Sequence, residues 1–187
     1  MMGTAMQHFA KEMAFYSAYH QERTNIWIHV FGVPLISFTA FALAACLPLA
    51  TVQGFSLSLA TLVWATSSLY YLRLDLTLGA VATVLYGLLC WAAHAVAAEG
   101  LGVALSVFAV GQVVGWTAQI YGHLHFERNR PAFFENLFQS FVSAPLFVIA
   151  DVFFHFGWKQ ALQREVTEIL ADTGRLREFE AEGALSR

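Results

Sequence analysis

The stretch LTLGAVATVLYGLLCWAAHAVAA, which runs from Leu76 to Ala98, contains no Asp, Glu, Lys or Arg. A helix needs about 20 mostly apolar residues to cross the hydrocarbon core of a bilayer. The segment is long enough and apolar enough to do so, and it predicts a transmembrane helix. It therefore decides the fold class: a helical membrane protein.

The rest of the chain has the same character. Of its 187 residues, 58% are hydrophobic and 12% are charged, whereas about a quarter of the residues in a soluble domain are charged. Three further segments are predicted to span the membrane: Ile28–Ala50, Phe55–Leu72 and Leu101–Tyr121. A fifth apolar stretch, at residues 137–158, is interrupted by Pro145, and it predicts either a fifth span or a re-entrant segment.

The distribution of cations favours four spans. Alternating spans place one group of basic residues on a single side of the membrane: Lys11, Arg23, Arg73, Arg128 and Arg130. The opposite loops, Thr51–Gly54 and Glu99–Gly100, contain no Lys or Arg, so the basic side is predicted to be cytoplasmic. The basic residues after 158 prefer that side too, which they reach if the fifth stretch re-enters or lies at the interface.

The predicted architecture is all-α: an integral membrane helical bundle in one domain over residues 1–187. An amphipathic helix at residues 4–20 precedes a membrane core at residues 26–158, and a second amphipathic helix follows at residues 159–182. The protein is expected to be multi-pass, in a bacterial inner membrane or an endoplasmic reticulum. The net charge of −3 and the lack of a long basic run argue against nucleic acid as a partner. Nothing in the sequence indicates an oligomeric state.

Four histidines lie at the edges of the apolar segments on the predicted cytoplasmic side: His20, His29, His123 and His125. Residues nine apart point to opposite faces of a helix, so His20 and His29 share a metal only if the chain turns between them. The polar stretch Gln21–Asn25 is the place for that turn. Asn25 precedes His29 by four residues and is placed to orient its ring.

The second pair of histidines, His123 and His125, diverges on a helix, whereas His123 and Glu127 share a face. These positions predict a metal held by His20, His29 and His123, with Glu127 as a ligand or as a hydrogen-bond acceptor behind the ligands. Histidines plus one carboxylate suit a non-haem Fe²⁺ that activates oxygen. The competing interpretation is that these histidines bind lipid headgroups or water at the membrane interface.

Other polar residues carry two interpretations each. Asp75 is expected to cap a helix or to form a surface ion pair, with completion of the metal site as the alternative. Asp151 lies within an apolar stretch, where ionisable groups usually face a site or a partner. Arg128 is placed to pair with a substrate carboxylate, although the positive-inside rule explains it equally well.

The chain also resembles a known family at these residues. The matching stretches are Phe15-Tyr16, Tyr19-His20, Asn25, Ile28-His29, Gly32–Leu35, Ala118-Gln119, Gly122-His123, Phe126-Glu127, Pro131, Ala144-Pro145 and the apolar segment around Asp151. Their order and identity are similar to those of the Mpo1-like membrane proteins, from about residue 9 to about residue 160. His125 falls on a variable position of that pattern.

The resemblance implies a non-haem iron oxidoreductase that acts on long-chain 2-hydroxy fatty acids. Such a dioxygenase uses O₂ to produce a fatty acid one carbon shorter and CO₂, which is fatty-acid α-oxidation and a step of sphingolipid degradation. His20, His29, His123 and Glu127 are then the candidate catalytic residues and Fe²⁺ ligands. The candidate substrate-binding residues are Tyr16, Asn25, Arg128 and Asp151.

Three alternatives to this function differ in what they require. A di-iron hydroxylase or desaturase needs clustered histidine boxes, which this chain lacks. A small-molecule transporter is expected to show inverted repeats, and none is apparent. A non-catalytic lipid-binding membrane protein remains the simplest alternative, and it predicts no tightly bound metal.

Overall fold

The computed structural model describes residues 4–52, 55–130 and 138–177. Seven α-helices make up most of this part of the chain: α1 (Thr4–Ser17), α2 (Arg23–Ala45), α3 (Leu59–Leu74), α4 (Leu76–Ala98), α5 (Leu101–Tyr121), α6 (Ala144–His155) and α7 (Gln160–Asp172). Two π-helical segments, Gly122–Glu127 and Gln139–Ser143, follow α5 and precede α6. An antiparallel hairpin of β1 (Pro48–Val52) and β2 (Phe55–Ser58) joins α2 to α3.

Within the described residues, three unbroken helical segments are long and apolar enough to cross a membrane: α2, α4 and Leu101–Glu127. The helix α3 has 16 residues, or about 24 Å at 1.5 Å per residue, against a hydrocarbon core of about 30 Å. It nevertheless returns the chain from the hairpin to Asp75, where α4 begins. The prediction of a helical membrane bundle is confirmed.

The two ends of the bundle differ in character. The histidine end contains His29 near the start of α2 and His123 just beyond α5, while the hairpin end contains β1 and β2. His94 lies at the hairpin end, where its Nε2 is 2.9 Å from Ser58 Oγ. It is therefore remote from the histidines at the opposite end of the bundle.

The hairpin corrects two predicted spans. The first predicted span, Ile28–Ala50, ends as a helix at Ala45, and the second, Phe55–Leu72, becomes helical only at Leu59. Pro48 lacks the backbone N–H that a continued helix needs, and the chain pairs Ala50 with Leu57 and Thr51 with Ser56 instead. The all-α prediction therefore omitted one small element.

Glycines in α5 bring α5 and α2 together. A Cβ atom on Gly111 would collide with Thr39, and one on Gly115 would lie 2.5 Å from Ile36 Cγ1. Small residues let membrane helices approach closely, and polar side chains can then bond across the contact. Gln112 Nε2 does so, donating to Thr39 Oγ1 at 2.8 Å. This contact holds His29 and His123, which α2 and the end of α5 carry, beside each other.

The described part of the apolar stretch at residues 137–158 forms a short helix followed by a sharp bend. Its helix α6 has only 12 residues, which is too short to span. Tyr71 Oη donates to Val142 O at 2.6 Å near the start of α6, and His155 packs edge-on against Trp27 at its end. Both contacts lie in the histidine half of the bundle. The chain then bends by 108° into α7.

An ion pair stabilises the bend between α6 and α7. Lys159 Nζ lies 2.7 Å from Asp75 Oδ2, and Asp75 Oδ1 also accepts from the backbone N–H groups of Thr77 and Leu78 at the start of α4. Asp75 is thus a helix cap and an ion-pair partner, as the first expectation for it stated. Its alternative role in the metal site is not supported, because both oxygens are engaged there.

The two terminal helices pack on each other and on α6. Phe9 and Met13 of α1 are fully buried, and Phe9 stacks on Phe147 with ring centroids 6.2 Å apart. Leu162 and Val166 form part of the buried stripe of α7. The predicted helices were too long: α1 ends at Ser17 and α7 at Asp172, before a turn at Gly174 with φ of +65°. Residues 178–182 of the predicted helix lie outside the described residues.

Candidate metal centre

Three imidazole rings converge at the histidine end of the bundle. The ring centroids of His20 and His29 are 4.4 Å apart, those of His20 and His123 are 4.7 Å apart, and those of His29 and His123 are 4.8 Å apart. One possible ligand nitrogen from each ring lies within 4.8 Å of the other two. We call this group the histidine triad. The turn that the spacing of His20 and His29 required lies at residues 18–22, earlier than the predicted stretch Gln21–Asn25, because α2 already begins at Arg23.

A hydrogen bond to the backbone carbonyl four residues earlier orients two of the three rings. Nδ1 of His20 lies 2.8 Å from the carbonyl oxygen of Tyr16, and Nδ1 of His29 lies 2.9 Å from that of Asn25. Because a carbonyl oxygen only accepts, Nδ1 carries the proton in each ring and Nε2 has a free lone pair. A hydrogen bond from the second nitrogen commonly fixes the ring of a metal-binding histidine. Asn25 therefore orients His29 as predicted, through its backbone.

The third ring gives the clearest sign of a ligand. Nδ1 of His123 is buried and has no hydrogen-bond partner within the described ranges. A buried polar atom without a partner costs about 1–3 kcal/mol, and a metal ion at this nitrogen would remove that cost. His123 sits on a π-helical turn, a distortion that often marks functional sites. The triad therefore fits a metal ion.

The electrostatic environment of His20 favours metal binding. Burial, followed by the neighbouring rings of His29 and His123, holds the pKa of His20 well below its ordinary value of 6.5. Metals bind the neutral imidazole, so a lowered pKa keeps the ligand in its binding form at neutral pH.

Glu127 lies beside the triad but is engaged elsewhere. Its side chain is fully buried, and its two oxygens accept hydrogen bonds from the backbone N–H groups of Gln21 and Glu22 and from Asn25 Nδ2, at 3.0–3.2 Å. Arg177 Nη1 lies 2.9 Å from Oε1. Glu127 is not part of the triad and holds the segment that carries His20.

The segment after α7 closes this arrangement. Arg177 donates from Nη2 to the backbone oxygen of Glu127 at 2.6 Å and from its backbone N–H to Gln21 Oε1 at 2.9 Å. Gln21 Nε2 in turn donates to Arg175 O at 2.9 Å. Residues 18–22, which we call the His20 loop, are thus held by Glu127 on one side and by the chain after α7 on the other.

The ring of Tyr16 packs against one face of the His20 ring. The two rings are stacked, with centroids 3.9 Å apart and planes at 12°. Burial, and then the negative charge of nearby Asp151, raises the pKa of Tyr16 well above its ordinary value, so the hydroxyl keeps its proton. Asp151 Oδ2 is buried and has no hydrogen bond of good geometry among the described residues. Tyr16 therefore adjoins the triad, and Asp151 lies next to Tyr16.

The remaining predicted residues lie further from the centre. Arg128 is exposed, with a left-handed φ of 51°, and its backbone N–H donates to His123 O. His125 is exposed and stacks on Tyr121 at 5.0 Å, which agrees with the prediction that it does not join His123 at one metal. His155 is also exposed and is not part of the triad.

Two cavities adjoin the triad end of the bundle. A polar cavity of 380 Å³ includes His20, Arg23, Asp151 and Arg177 in its lining. A second, largely apolar cavity of 290 Å³ lies between α2, α3, α5 and the segment before α6. Its lining includes Gln119, a buried residue one helical turn before His123.

Two residues near the triad, Gln119 and Arg177, were not predicted to belong to the site. Gln119 precedes His123 by four residues, and that spacing on a helix was the available signal. For Arg177 no local signal existed, because it meets Glu127 from 50 residues away in the chain.

Comparison with known proteins agrees with the geometry. The family model described as "2-hydroxy-palmitic acid dioxygenase Mpo1-like" matches residues 6–156. The chain is 32% identical over 164 residues to "2-hydroxy-palmitic acid dioxygenase MPO1" of Saccharomyces cerevisiae, an alignment that covers 87% of this chain and 89% of the yeast protein. No solved structure is significantly similar to the chain.

Proposed function

The chain belongs to the Mpo1-like family, and from that premise we propose that it is an Fe²⁺-dependent 2-hydroxy fatty acid dioxygenase. In the proposed reaction a 2-hydroxy fatty acid and O₂ give a fatty acid one carbon shorter, CO₂ and water. These products balance the substrates in atoms and electrons, so no separate reductant is needed. The reaction is a step of fatty-acid α-oxidation.

The observation that carries the proposal is the histidine triad with the unpartnered Nδ1 of His123. The three rings would hold Fe²⁺, which supplies O₂ activation to such sites. The backbone carbonyls of Tyr16 and Asn25 fix the rings of His20 and His29. Rings held in this way lose little freedom when an ion binds, because their orientation is already set.

Of the four candidate substrate-binding residues, two are better placed than the others. Tyr16 stacks on His20, and Asp151 lies next to Tyr16 and lines the polar cavity together with His20. The side chain of Asn25 is bonded to Glu127, and Arg128 is exposed. We therefore assign Tyr16 and Asp151 to the surroundings of the reacting end of the substrate. Glu127 is assigned to positioning the His20 loop.

We propose that the histidine end faces the cytoplasm, in a bacterial inner membrane or an endoplasmic reticulum. The sequence at the hairpin end, residues 46–58 and 99–100, contains no Lys or Arg. Cations at the opposite, histidine end include Arg23 and Arg177, which line the polar cavity, and Lys159, which pairs with Asp75. The positive-inside rule then gives this orientation.

The test combines metal analysis with turnover. Protein purified anaerobically in detergent is assayed for iron and then for conversion of 2-hydroxypalmitate to pentadecanoate, with and without added Fe²⁺. We expect about one iron per chain, and loss of both iron and product in His20→Ala and His123→Ala. His125→Ala is the matched control, because this exposed histidine lies only two residues from His123; it is expected to keep both.

Two results would contradict the proposal. Folded protein that binds no iron after reconstitution and yields no shortened acid would favour the lipid-binding alternative. Iron bound equally well by the wild type and by His123→Ala would place the metal elsewhere.

A further inference from the structure

We propose that the apolar cavity binds the acyl chain of the substrate and that its far end sets the preferred chain length. This inference rests on the proposed function and gives its substrate a location. The cavity is lined by one face of α2, by α3, by Tyr86 of α4, by Trp116 and Gln119 of α5, and by residues near the start of α6. The residues used below are Val33, Ala40, Ala44, Leu59, Trp64 and Gln119.

The cavity begins next to the triad. Val33 follows His29 by one helical turn, and Gln119 precedes His123 by one turn, so both lining residues lie directly below a triad histidine. The side chain of Gln119 is buried and makes no hydrogen bond within the part of the chain that the structure describes. It presents an amide to the polar end of a ligand whose tail enters the cavity.

The cavity extends from there toward the hairpin end. Along α2 its lining runs from Val33 to Ala44, which is about 16 Å at 1.5 Å per residue. On α3 the lining runs the opposite way, with Tyr71 at the triad end and Leu59 at the far end. Trp64 forms part of the far wall, held by a hydrogen bond from Nε1 to Thr83 O at 3.0 Å.

The lining suits an alkyl chain. Several of its polar groups are already satisfied: Ser37 Oγ donates to Val33 O, and Tyr71 Oη donates to Val142 O. An apolar cavity tends to stay dry and to accept apolar ligands. The polar cavity differs, because charged Arg23 and Asp151 line it beside apolar residues such as Val30, and placing alkyl groups against buried charged groups is unfavourable.

The proposal predicts how affinity depends on chain length. Each methylene that leaves water contributes a factor of about four to binding. Affinity should therefore rise steeply with chain length until the tail reaches Ala44, Leu59 and Trp64, and then level off. A side chain that fills the far end should move this limit toward shorter acids.

The first experiment shortens the cavity in two steps. Ala44→Phe fills the far end and Ala40→Phe fills the middle, while Trp64→Ala enlarges the far end. Ala95→Phe, at an exposed position of α4 outside the cavity, is the matched control. Affinity is measured on metal-free protein for 2-hydroxy acids from 2-hydroxylaurate to 2-hydroxylignocerate, and kcat/KM is measured on the iron-loaded protein.

We expect the preferred chain to be shorter in Ala44→Phe, shorter still in Ala40→Phe, and longer in Trp64→Ala. An unchanged preference in folded Ala44→Phe and Trp64→Ala would overturn the proposal, even if Ala40→Phe fails to fold. Binding limits that shift as expected without any turnover would support the cavity and reject the dioxygenase activity.

The second experiment uses unmodified protein. A 2-hydroxy acid with a diazirine at its methyl end is photolysed on the metal-free wild type, and the labelled peptides are identified by mass spectrometry. Label on residues 40–44 or 59–64 would support the proposal. Label on residues 26–30 or 163–170, which line the polar cavity, would overturn it.

Discussion

Replacing Arg177 with Met tests whether Glu127 positions the His20 loop or binds the metal itself. The wild-type pair joins a fully buried carboxylate to a guanidinium whose side chain is 33% exposed. Met keeps most of the apolar stem and removes both donors to Glu127, from Nη1 to Oε1 and from Nη2 to the backbone oxygen. The carboxylate itself remains.

The size of the effect follows from these contacts. Breaking a fully buried ion pair costs about 3–5 kcal/mol. Here the cation is partly solvated and Glu127 keeps hydrogen bonds from Gln21, Glu22 and Asn25, so about 2 kcal/mol is a better estimate. If that energy is lost from the ordered His20 loop, the Kd for Fe²⁺ should rise by up to about 30-fold.

The assay is competition for Fe²⁺ between metal-free protein and a chelator of known affinity, under anaerobic conditions. Arg175→Met is the control. Arg175 lies two residues before Arg177, its side chain is exposed, and it does not contact Glu127, so this variant removes the same charge without touching the carboxylate. We expect weaker iron binding in Arg177→Met and no change in Arg175→Met. If Glu127 is a ligand, Arg177→Met instead frees its carboxylate and iron binds as tightly as before or more tightly. That result would refute the positioning role.

Three further predictions concern the same centre. Glu127→Gln should weaken iron binding more than Arg177→Met does. In the wild type, backbone N–H groups donate to the carboxylate oxygens, and in the variant the amide NH₂ group would face such a donor instead. Equal iron affinities in the two variants would contradict this. Gly122→Ala should lower both thermal stability and iron content, since its Cβ would lie 2.5 Å from Asn25 Oδ1, whereas Gly102→Ala, with open space around it, should change neither. The metal-free protein should lose thermal stability as the pH falls below about 6.5, because His20 is harder to protonate in the folded state than in the unfolded one. His20→Gln should reduce that loss, and an equal loss in the variant would show that other groups cause it.

The helical membrane class and the triad could be predicted from the sequence because both depend on features of short, continuous segments. Long apolar runs have one stable arrangement in a bilayer, and the nine-residue spacing of His20 and His29 required a turn that the polar residues between them supply. The hairpin at residues 48–58 was missed because apolar content alone does not separate a strand from a helix over a few residues. The division into a single domain over residues 1–187 stays a prediction.

The hydrogen-bond partners of Glu127 could not be predicted from short-range sequence patterns. Its four-residue spacing from His123 indicated a shared helix face, which left two roles open: a further metal ligand or a hydrogen-bond acceptor behind the ligands. The partners that occupy its oxygens come from the His20 loop and from Arg177, which are distant in the chain. Only the packing of α1 and α7 over the histidine end brings these donors to it.

The three triad histidines are supported in two different ways, and this bears on how a metal would be held. His29 and His123 lie on helices that Gly111 and Gly115 let pack closely, so their separation is set by the bundle itself. His20 lies outside the bundle on a loop, and its position depends on Tyr16 beneath it and on Glu127 and Arg177 around it. A metal bound by all three would therefore join the packed terminal helices to the membrane helices. Because binding and ordering are linked, every contact that holds the His20 loop also contributes to metal affinity, although none of these groups touches the metal.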